Sequence, residues 1–83
     1  IEDPVGNIEL QSISVKMYPN PTNDFCTIST EKPIKSITLF DINGRLIATI
    51  EEQTIDLRNF KSGIYFISLN IENQIINKRI VKL

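Results

Sequence analysis

Hydrophobic and polar residues alternate along most of this chain, in short runs that turn-forming residues separate. A period of two is typical of strands that bury one face. The predicted strands span residues 13–17, 25–29, 34–41, 45–50, 54–57, 64–71 and 74–83. Short strands with turn signals roughly every eight to twelve residues indicate a β-sandwich or a small barrel.

Two prolines interrupt the pattern directly after the first strand, in the run Tyr18-Pro19-Asn20-Pro21. Pro19 and Pro21 each fix φ and lack a backbone donor, so neither a helix nor a central strand continues through them. Turn-forming residues follow the second proline. We therefore predict a rigid corner, which carries the chain from one edge strand across to the other sheet.

A hairpin is predicted within residues 41–45, because Asn43-Gly44 lies between two alternating runs. Asn-Gly supplies the two positive-φ positions of the tightest hairpin turn. The strand before the turn places Phe40 on the face opposite Ile37 and Leu39, and the strand after it places Leu46, Ala48 and Ile50 on one face. The turn explains Asp41, Asn43 and Gly44 without any further function.

Residues 57–63 break the strand pattern a second time. Leu57 and Phe60 fit a single helical turn under the sheet, so we expect one turn of helix or none. Together with Gly63 and Tyr65 they have the spacing of a tyrosine corner, in which a tyrosine hydroxyl bonds to backbone a few residues upstream. This layout favours the sandwich over the barrel.

The composition excludes several classes of function. A net charge of -1 on 83 residues provides no field for nucleic acid, and three glycines occur without a nucleotide-binding spacing. The chain has no histidine, the usual proton-transfer group near neutral pH. Its single cysteine, Cys26, lies in an alternating strand and is predicted to be a small buried hydrophobe. We expect no catalysis, no cofactor and no small-molecule substrate.

Calcium is the one metal that the loops suggest. The predicted turns contain oxygen-bearing side chains, but none of them has the spacing of an EF-hand loop: Asn20, Asn23, Asp24, Asp41 and Asn43. Capping of backbone amides explains the same residues, as it does for Asp56, and we favour it.

The end of the chain is basic, with Lys78, Arg79 and Lys82 on the last predicted strand. Lysines on an exposed edge strand prevent edge-to-edge pairing, and this is the interpretation that the residues alone favour. The alternative is that a partner protein recognises this strand. An exposed edge also permits strand addition or self-association.

Taken in order, four motifs resemble those of a known family. They are Tyr18-Pro19-Asn20-Pro21, then Leu39-Phe40-Asp41 with Gly44-Arg45, then Leu57, Phe60 and Gly63-Ile64-Tyr65-Phe66, and last Lys78-Arg79-Ile80-Val81-Lys82. The chain is similar over residues 13–83 to the type A C-terminal sorting domains of type IX secretion cargo proteins in Bacteroidota. The matching candidate recognition residues are Pro19, Asn20, Pro21, Asp41, Asn43, Gly44, Arg45, Gly63, Tyr65, Lys78, Arg79 and Lys82.

The resemblance implies an immunoglobulin-like, seven-stranded antiparallel β-sandwich with Greek key topology and no enzymatic activity. It implies export through the periplasm to the outer-membrane surface or the extracellular space, with the type IX translocon and a sortase-like surface peptidase as partners. It also makes the terminal basic strand the leading recognition element. Residues 1–12 are predicted to be the linker from a preceding cargo domain, where the peptidase would cut. Because the chain starts at Ile1, we expect it to be part of a longer protein.

Two other functions fit a small sandwich. An accessory carbohydrate-binding or adhesive module would use loops or an open face, usually with exposed aromatic side chains. The chain has no tryptophan, and both tyrosines are predicted at corner or core positions. A structural spacer is the second alternative.

Overall fold

Seven strands and no helix make up the computed structural model, which describes residues 13–83. The strands are β1 (Val15–Tyr18), β2 (Phe25–Thr30), β3 (Ser36–Phe40), β4 (Leu46–Ile50), β5 (Thr54–Asp56), β6 (Gly63–Ile71) and β7 (Gln74–Lys82). The predicted number and order of strands are confirmed. The predicted linker, residues 1–12, lies outside the described residues, and no helix in the described part could cross a membrane.

The strands form two antiparallel sheets, with orders β1-β2-β5 and β4-β3-β6-β7. The chain changes sheet between β2 and β3, between β4 and β5, and again between β5 and β6. This is a seven-stranded Greek key sandwich of the immunoglobulin type. The fourth strand lies beside the third, and not beside the fifth as in constant-type immunoglobulin domains. The predicted fold class is confirmed.

Alternating side chains of both sheets fill the space between them. Cys26 and Ile28 of β2 are buried, as are the alternate residues Ile67, Leu69 and Ile71 of β6, all as the period of two predicts. The complete buried apolar set is Cys26, Ile28, Ile37, Leu39, Ile55, Leu57, Ile67, Leu69, Ile71 and Ile80. Because each strand contributes one face, the opposite faces are left to solvent.

A β-bulge changes the predicted face of β4. Phe40 pairs with Leu46 while Leu39 pairs with Ala48, so Ile47 is an extra residue on β4. The bulge turns Leu46 out of the core and leaves it 62% exposed. The prediction that Leu46 shares the inner face is therefore wrong, whereas the outward position of Phe40 is confirmed.

The proline corner does not carry the chain to the other sheet. β1 and β2 are neighbours in the same sheet, so the chain returns to the sheet it left, and the predicted crossing is wrong. The corner nevertheless contacts the second sheet through an isolated parallel bridge between Thr22 and Lys82 of β7. The Tyr18–Pro19 and Asn20–Pro21 peptide bonds are both cis.

The hairpin turn at residues 41–45 also differs from the sequence prediction, whereas the absence of a helix at residues 57–60 is within it. In the 41–45 hairpin only Gly44 has positive φ, at 83°, and Asn43 does not. The turn with two positive-φ residues joins β6 to β7, where Glu72 has φ 51° and Asn73 has φ 65°. At residues 57–60 the chain makes a turn, closed by a 3.0 Å hydrogen bond from the Phe60 amide to the Leu57 carbonyl, and no helix.

Candidate recognition surface at one end of the sandwich

Strand directions bring the four sequence motifs to the same end of the sandwich. Phe40, which precedes the hairpin, pairs with Phe66, and Phe66 pairs with Arg79. Gly63 pairs with Lys82, so the tyrosine corner lies beside the end of β7. We call this end, formed by residues 19–22, 41–45, 60–65 and 79–83, the motif end.

The proline corner is hydrogen-bonded along the outer edge of β7. The Asn20 side-chain amide donates to the Arg79 carbonyl at 2.9 Å and accepts from the Val81 amide at 3.0 Å. This side chain thus pairs with β7 as a peptide group of a neighbouring strand would. The Thr22 amide donates to the Val81 carbonyl and the Leu83 amide to the Thr22 carbonyl, both at 2.9 Å. The corner and the terminal strand, predicted as separate motifs, are one hydrogen-bonded unit.

Thr22 is a structural residue that sequence reasoning missed. It is only 1% exposed, and its hydroxyl donates to the Phe25 carbonyl and accepts from the Asp24 amide at 3.2 Å. A buried hydroxyl is tolerated only when such hydrogen bonds are made. A threonine followed by Asn-Asp is a sequence in which the hydroxyl often bonds to local backbone, and this signal could have identified the residue.

The hairpin at the motif end is organised by Asp41. Its Oδ1 accepts hydrogen bonds from the Asn43 and Arg45 amides, each at 2.9 Å. The Arg45 amide is the main cause of a lowered pKa of the Asp41 carboxyl. The Gly44 amide donates to the Asp41 carbonyl at 2.9 Å, with Gly44 in a left-handed conformation. Turn capping therefore accounts for Asp41, as it does for Asp24, whose Oδ1 accepts from the Phe25 amide.

The predicted tyrosine corner is confirmed. The Tyr65 hydroxyl donates to the Lys61 carbonyl at 2.8 Å, and its ring meets Phe60 edge-on, with centroids 5.5 Å apart. Gly63, between them, has a φ of 151°, which residues with side chains rarely adopt. The spacing of this motif is thus explained by local backbone geometry.

The three basic residues at the end of β7 do not form one exposed cluster. Lys78 and Arg79 are exposed and, as neighbours in a strand, lie on opposite faces. Lys82 is only 9% exposed, and its Nζ donates to the Phe60 carbonyl at 3.2 Å. The expectation of an exposed cation is therefore wrong for Lys82, because residue 82 shares the inward-facing register of Ile80.

An ion pair stands at the motif end of β5. Arg58 Nε and Nη2 each lie 3.0 Å from a carboxylate oxygen of Asp56, and this side-chain hydrogen bonding lowers the pKa of Asp56 to about 2. The same guanidinium lies 4.8 Å from the centroid of the Phe25 ring. Asp56 is thus committed to Arg58. Burial raises the pKa of the Cys26 thiol, which keeps it protonated and unreactive at neutral pH.

The opposite end of the sandwich contains loops 31–35 and 51–53 and the 72–73 turn. Lys32 and Glu72 approach to 3.7 Å there. An open groove of about 500 Å³ lies at this end and contains no aromatic side chain; its lining is Ile34, Lys35, Ser36, Ile37, Thr49, Ile50, Glu51, Glu52 and Gln53. The groove therefore lacks the stacking surface on which sugar rings usually bind. Within residues 13–83, no three or more His, Cys, Asp or Glu side chains are placed to hold a metal ion.

The comparisons with known proteins agree with these motifs. The family model described as "Secretion system C-terminal sorting domain" matches residues 16–83. A "Beta-agarase A" from Zobellia galactanivorans is 36% identical over 76 residues, which cover 84% of this chain. An "Endo-acting ulvan lyase" from Formosa agariphila is 39% identical over 66 residues, or 71% of this chain. In each relative the match covers 13% of the protein. No solved structure gives a significant match.

Proposed function

Because the chain belongs to the family of secretion system C-terminal sorting domains, we propose that it directs the protein carrying it across the outer membrane through the type IX translocon. Type IX sorting tails occur on proteins that are secreted to the cell surface or the extracellular space. The family is a signal module and not a catalytic one, and we propose that this domain likewise acts only by being recognised.

The arrangement of the motifs supports this proposal. β1 begins at Val15, which pairs with Thr30 at the opposite end of the sandwich from the motif end. The chain therefore enters the described sandwich at the opposite end. The motif end, with its exposed side chains, would remain accessible to the translocon while the cargo is attached.

We further propose that a sortase-like surface peptidase removes the domain after export. The sequence of residues 1–12 predicts a linker that contains Pro4, Gly6 and Asn7 among charged residues. A cut there would separate the cargo from the sandwich and leave β1 to β7 intact. N-terminal and C-terminal mass spectrometry of the exported products would locate the cleaved bond, and a product that retains the whole domain would contradict removal.

The export experiment uses residues 1–83 fused to the C-terminus of a fluorescent protein that has a periplasmic signal peptide. The fusion is expressed in a Bacteroidota host with an intact type IX system and in an isogenic strain without the translocon. We expect fluorescence at the cell surface or in the medium only in the intact strain. Retention in the periplasm of both strains would contradict the proposed function.

The fusion also needs a control for folding. Deleting residues 79–83 removes the hydrogen bonds of Asn20 and Thr22 to β7 and would unfold the motif end. Substituting the exposed Lys78 keeps those bonds. We would therefore measure both export and protease resistance for two fusions, the Lys78→Gln variant and the deletion of residues 79–83.

A further inference from the structure

A row of mainly apolar side chains, most of them exposed, crosses the outer face of the four-stranded sheet next to the motif end. Leu46 pairs with Phe40, Phe40 with Phe66, and Phe66 with Arg79, so one line of side chains runs through β4, β3, β6 and β7. The bulge adds Ile47 to the same position. We call Phe40, Leu46, Ile47, Phe66 and Arg79 the outer row.

No residue of the outer row belongs to the buried core; Phe40 is half-buried and the other four are exposed. Leu46 is 62%, Ile47 38% and Phe66 37% exposed. The core is formed by their strand neighbours on the inner face, such as Leu39 and Ile67, which are buried. Removing the outer-row side chains therefore leaves the core contacts in place.

Polar side chains border the outer row on one side. The next row towards the opposite end is made only of hydroxyl and amide side chains, namely Thr49, Thr38, Ser68 and Asn77. On the other side the half-buried pair Ile64 and Val81 extends the apolar surface towards the motif end. An apolar strip with a polar border on one side matches part of the usual anatomy of a protein–protein interface, in which an apolar centre is surrounded by a polar rim.

The chemistry of the outer row indicates the partner. Aromatic side chains, phenylalanine included, and arginine are enriched at protein–protein interfaces. Arg79 is the one cation of the row, and the bond from Asn20 to its carbonyl holds the backbone in place. Charge complementarity therefore calls for a carboxylate opposite Arg79. A membrane surface would instead favour several cations around the apolar patch.

We propose that the outer row docks on a protein of the export machinery, which presents an apolar strip with a carboxylate at the end facing Arg79. This inference rests on the proposed function and states which surface of the domain the export machinery recognises. The hydrogen-bonded motifs at the adjacent end then act mainly as scaffold. They hold β7 and the hairpin in place, and so keep the outer row continuous across four strands.

The test substitutes exposed positions in the fluorescent fusion. Leu46→Thr/Phe66→Thr keeps β-propensity and the core, and we expect it to lower the exported fraction at least tenfold. The control is Ile75→Thr. Ile75 is 62% exposed and lies on the same face of β7 as Arg79, but near the opposite end. The Ile75→Thr fusion should be exported as well as the unsubstituted fusion. Arg79→Glu should also reduce export severalfold, and more than Lys78→Glu does on the other face.

Folding and competing occupants are measured on the same variants. The melting temperature of each purified chain should stay within a few degrees of the unsubstituted one. Normal export of Leu46→Thr/Phe66→Thr, while the unsubstituted fusion is also exported, would overturn this inference and leave the proposed function standing. Two other results would overturn it in the same way. One is a dimer in sedimentation that Leu46→Thr abolishes. The other is cosedimentation with anionic phosphatidylglycerol vesicles that the same substitution abolishes. If the unsubstituted fusion is retained in the periplasm, the proposed function fails and this inference fails with it.

Discussion

The Lys82 ammonium donates a hydrogen bond to the Phe60 carbonyl at 3.2 Å, and so ties the terminal strand to the loop of the tyrosine corner. Lys82 is nearly buried, although it belongs to the basic end of the chain that the family resemblance made the leading recognition element. Its side chain thus serves the fold of the motif end. Of the three basic residues, only Lys78 and Arg79 have exposed side chains.

Replacing Lys82 with methionine tests this assignment. Methionine preserves length and apolar packing but removes the donor to the Phe60 carbonyl, so we expect the free energy of unfolding to fall by about 1–2 kcal/mol. Urea denaturation measures it. Lys78→Met, at an exposed site, should change stability by less than about 0.5 kcal/mol. Equal effects of the two substitutions would contradict a structural role for Lys82.

The tyrosine corner should contribute measurable stability. Tyr65→Phe removes the hydroxyl that bonds to the Lys61 carbonyl but keeps the ring against Phe60. We expect a loss of about 1 kcal/mol in urea denaturation, the usual net value of one hydrogen bond. Tyr18→Phe, on a side chain that is 52% exposed, is the matched control and should be nearly neutral.

Within the proline corner, the Asn20 side chain should contribute more to the free energy of unfolding than direct contacts of Pro19 or Pro21 do. Asn20→Ala removes two hydrogen bonds to β7, and we expect the free energy of unfolding to fall by about 1–2 kcal/mol. Asn23→Ala, at an exposed position of the same corner, is the control and should change it little. If Asn20→Ala abolished export at an unchanged melting temperature, the corner would be a contact site and not scaffold.

Glycine should stabilise the turn between β6 and β7. Glu72 and Asn73 both have positive φ there, a conformation that glycine adopts without strain. We expect Glu72→Gly to raise the free energy of unfolding by about 1 kcal/mol, and Asn73→Gly by about half as much because asparagine tolerates this region. Asn77→Gly, within β7, should lower it. The urea midpoints of the three variants, compared with that of the unsubstituted domain, test this prediction.

The free energy of unfolding should fall at acid pH because Asp56 becomes protonated. The folded pKa of about 2 is below that of an unfolded aspartate, so the folded state binds fewer protons. The contribution of Asp56 is therefore present above about pH 4 and is lost as the pH falls towards 2. Melting temperatures from pH 6 to pH 2 should decline less steeply for Asp56→Asn, and less still with Asp41→Asn added. Parallel curves for all three proteins would refute this linkage.

The alternation of apolar residues determined much of the fold in advance. It predicted seven strands in the right order and the buried faces of β2 and β6, because a period of two is a local property of a strand. The tyrosine corner could be predicted for the same reason, since Tyr65 and Lys61 are four residues apart. The resemblance to sorting domains also followed from the order and spacing of the motifs.

What required the tertiary structure were the relations between distant parts of the chain. The Pro19–Pro21 corner is a local feature, but its pairing with β7 joins residues about sixty positions apart. The Asn20 side chain bonds there to backbone groups of β7, which have no sequence signature. The bulge that turns Leu46 outward depends on the register with β3. The inward position of Lys82 depends on which face of β7 the sandwich covers, and only the packed sheets decide that.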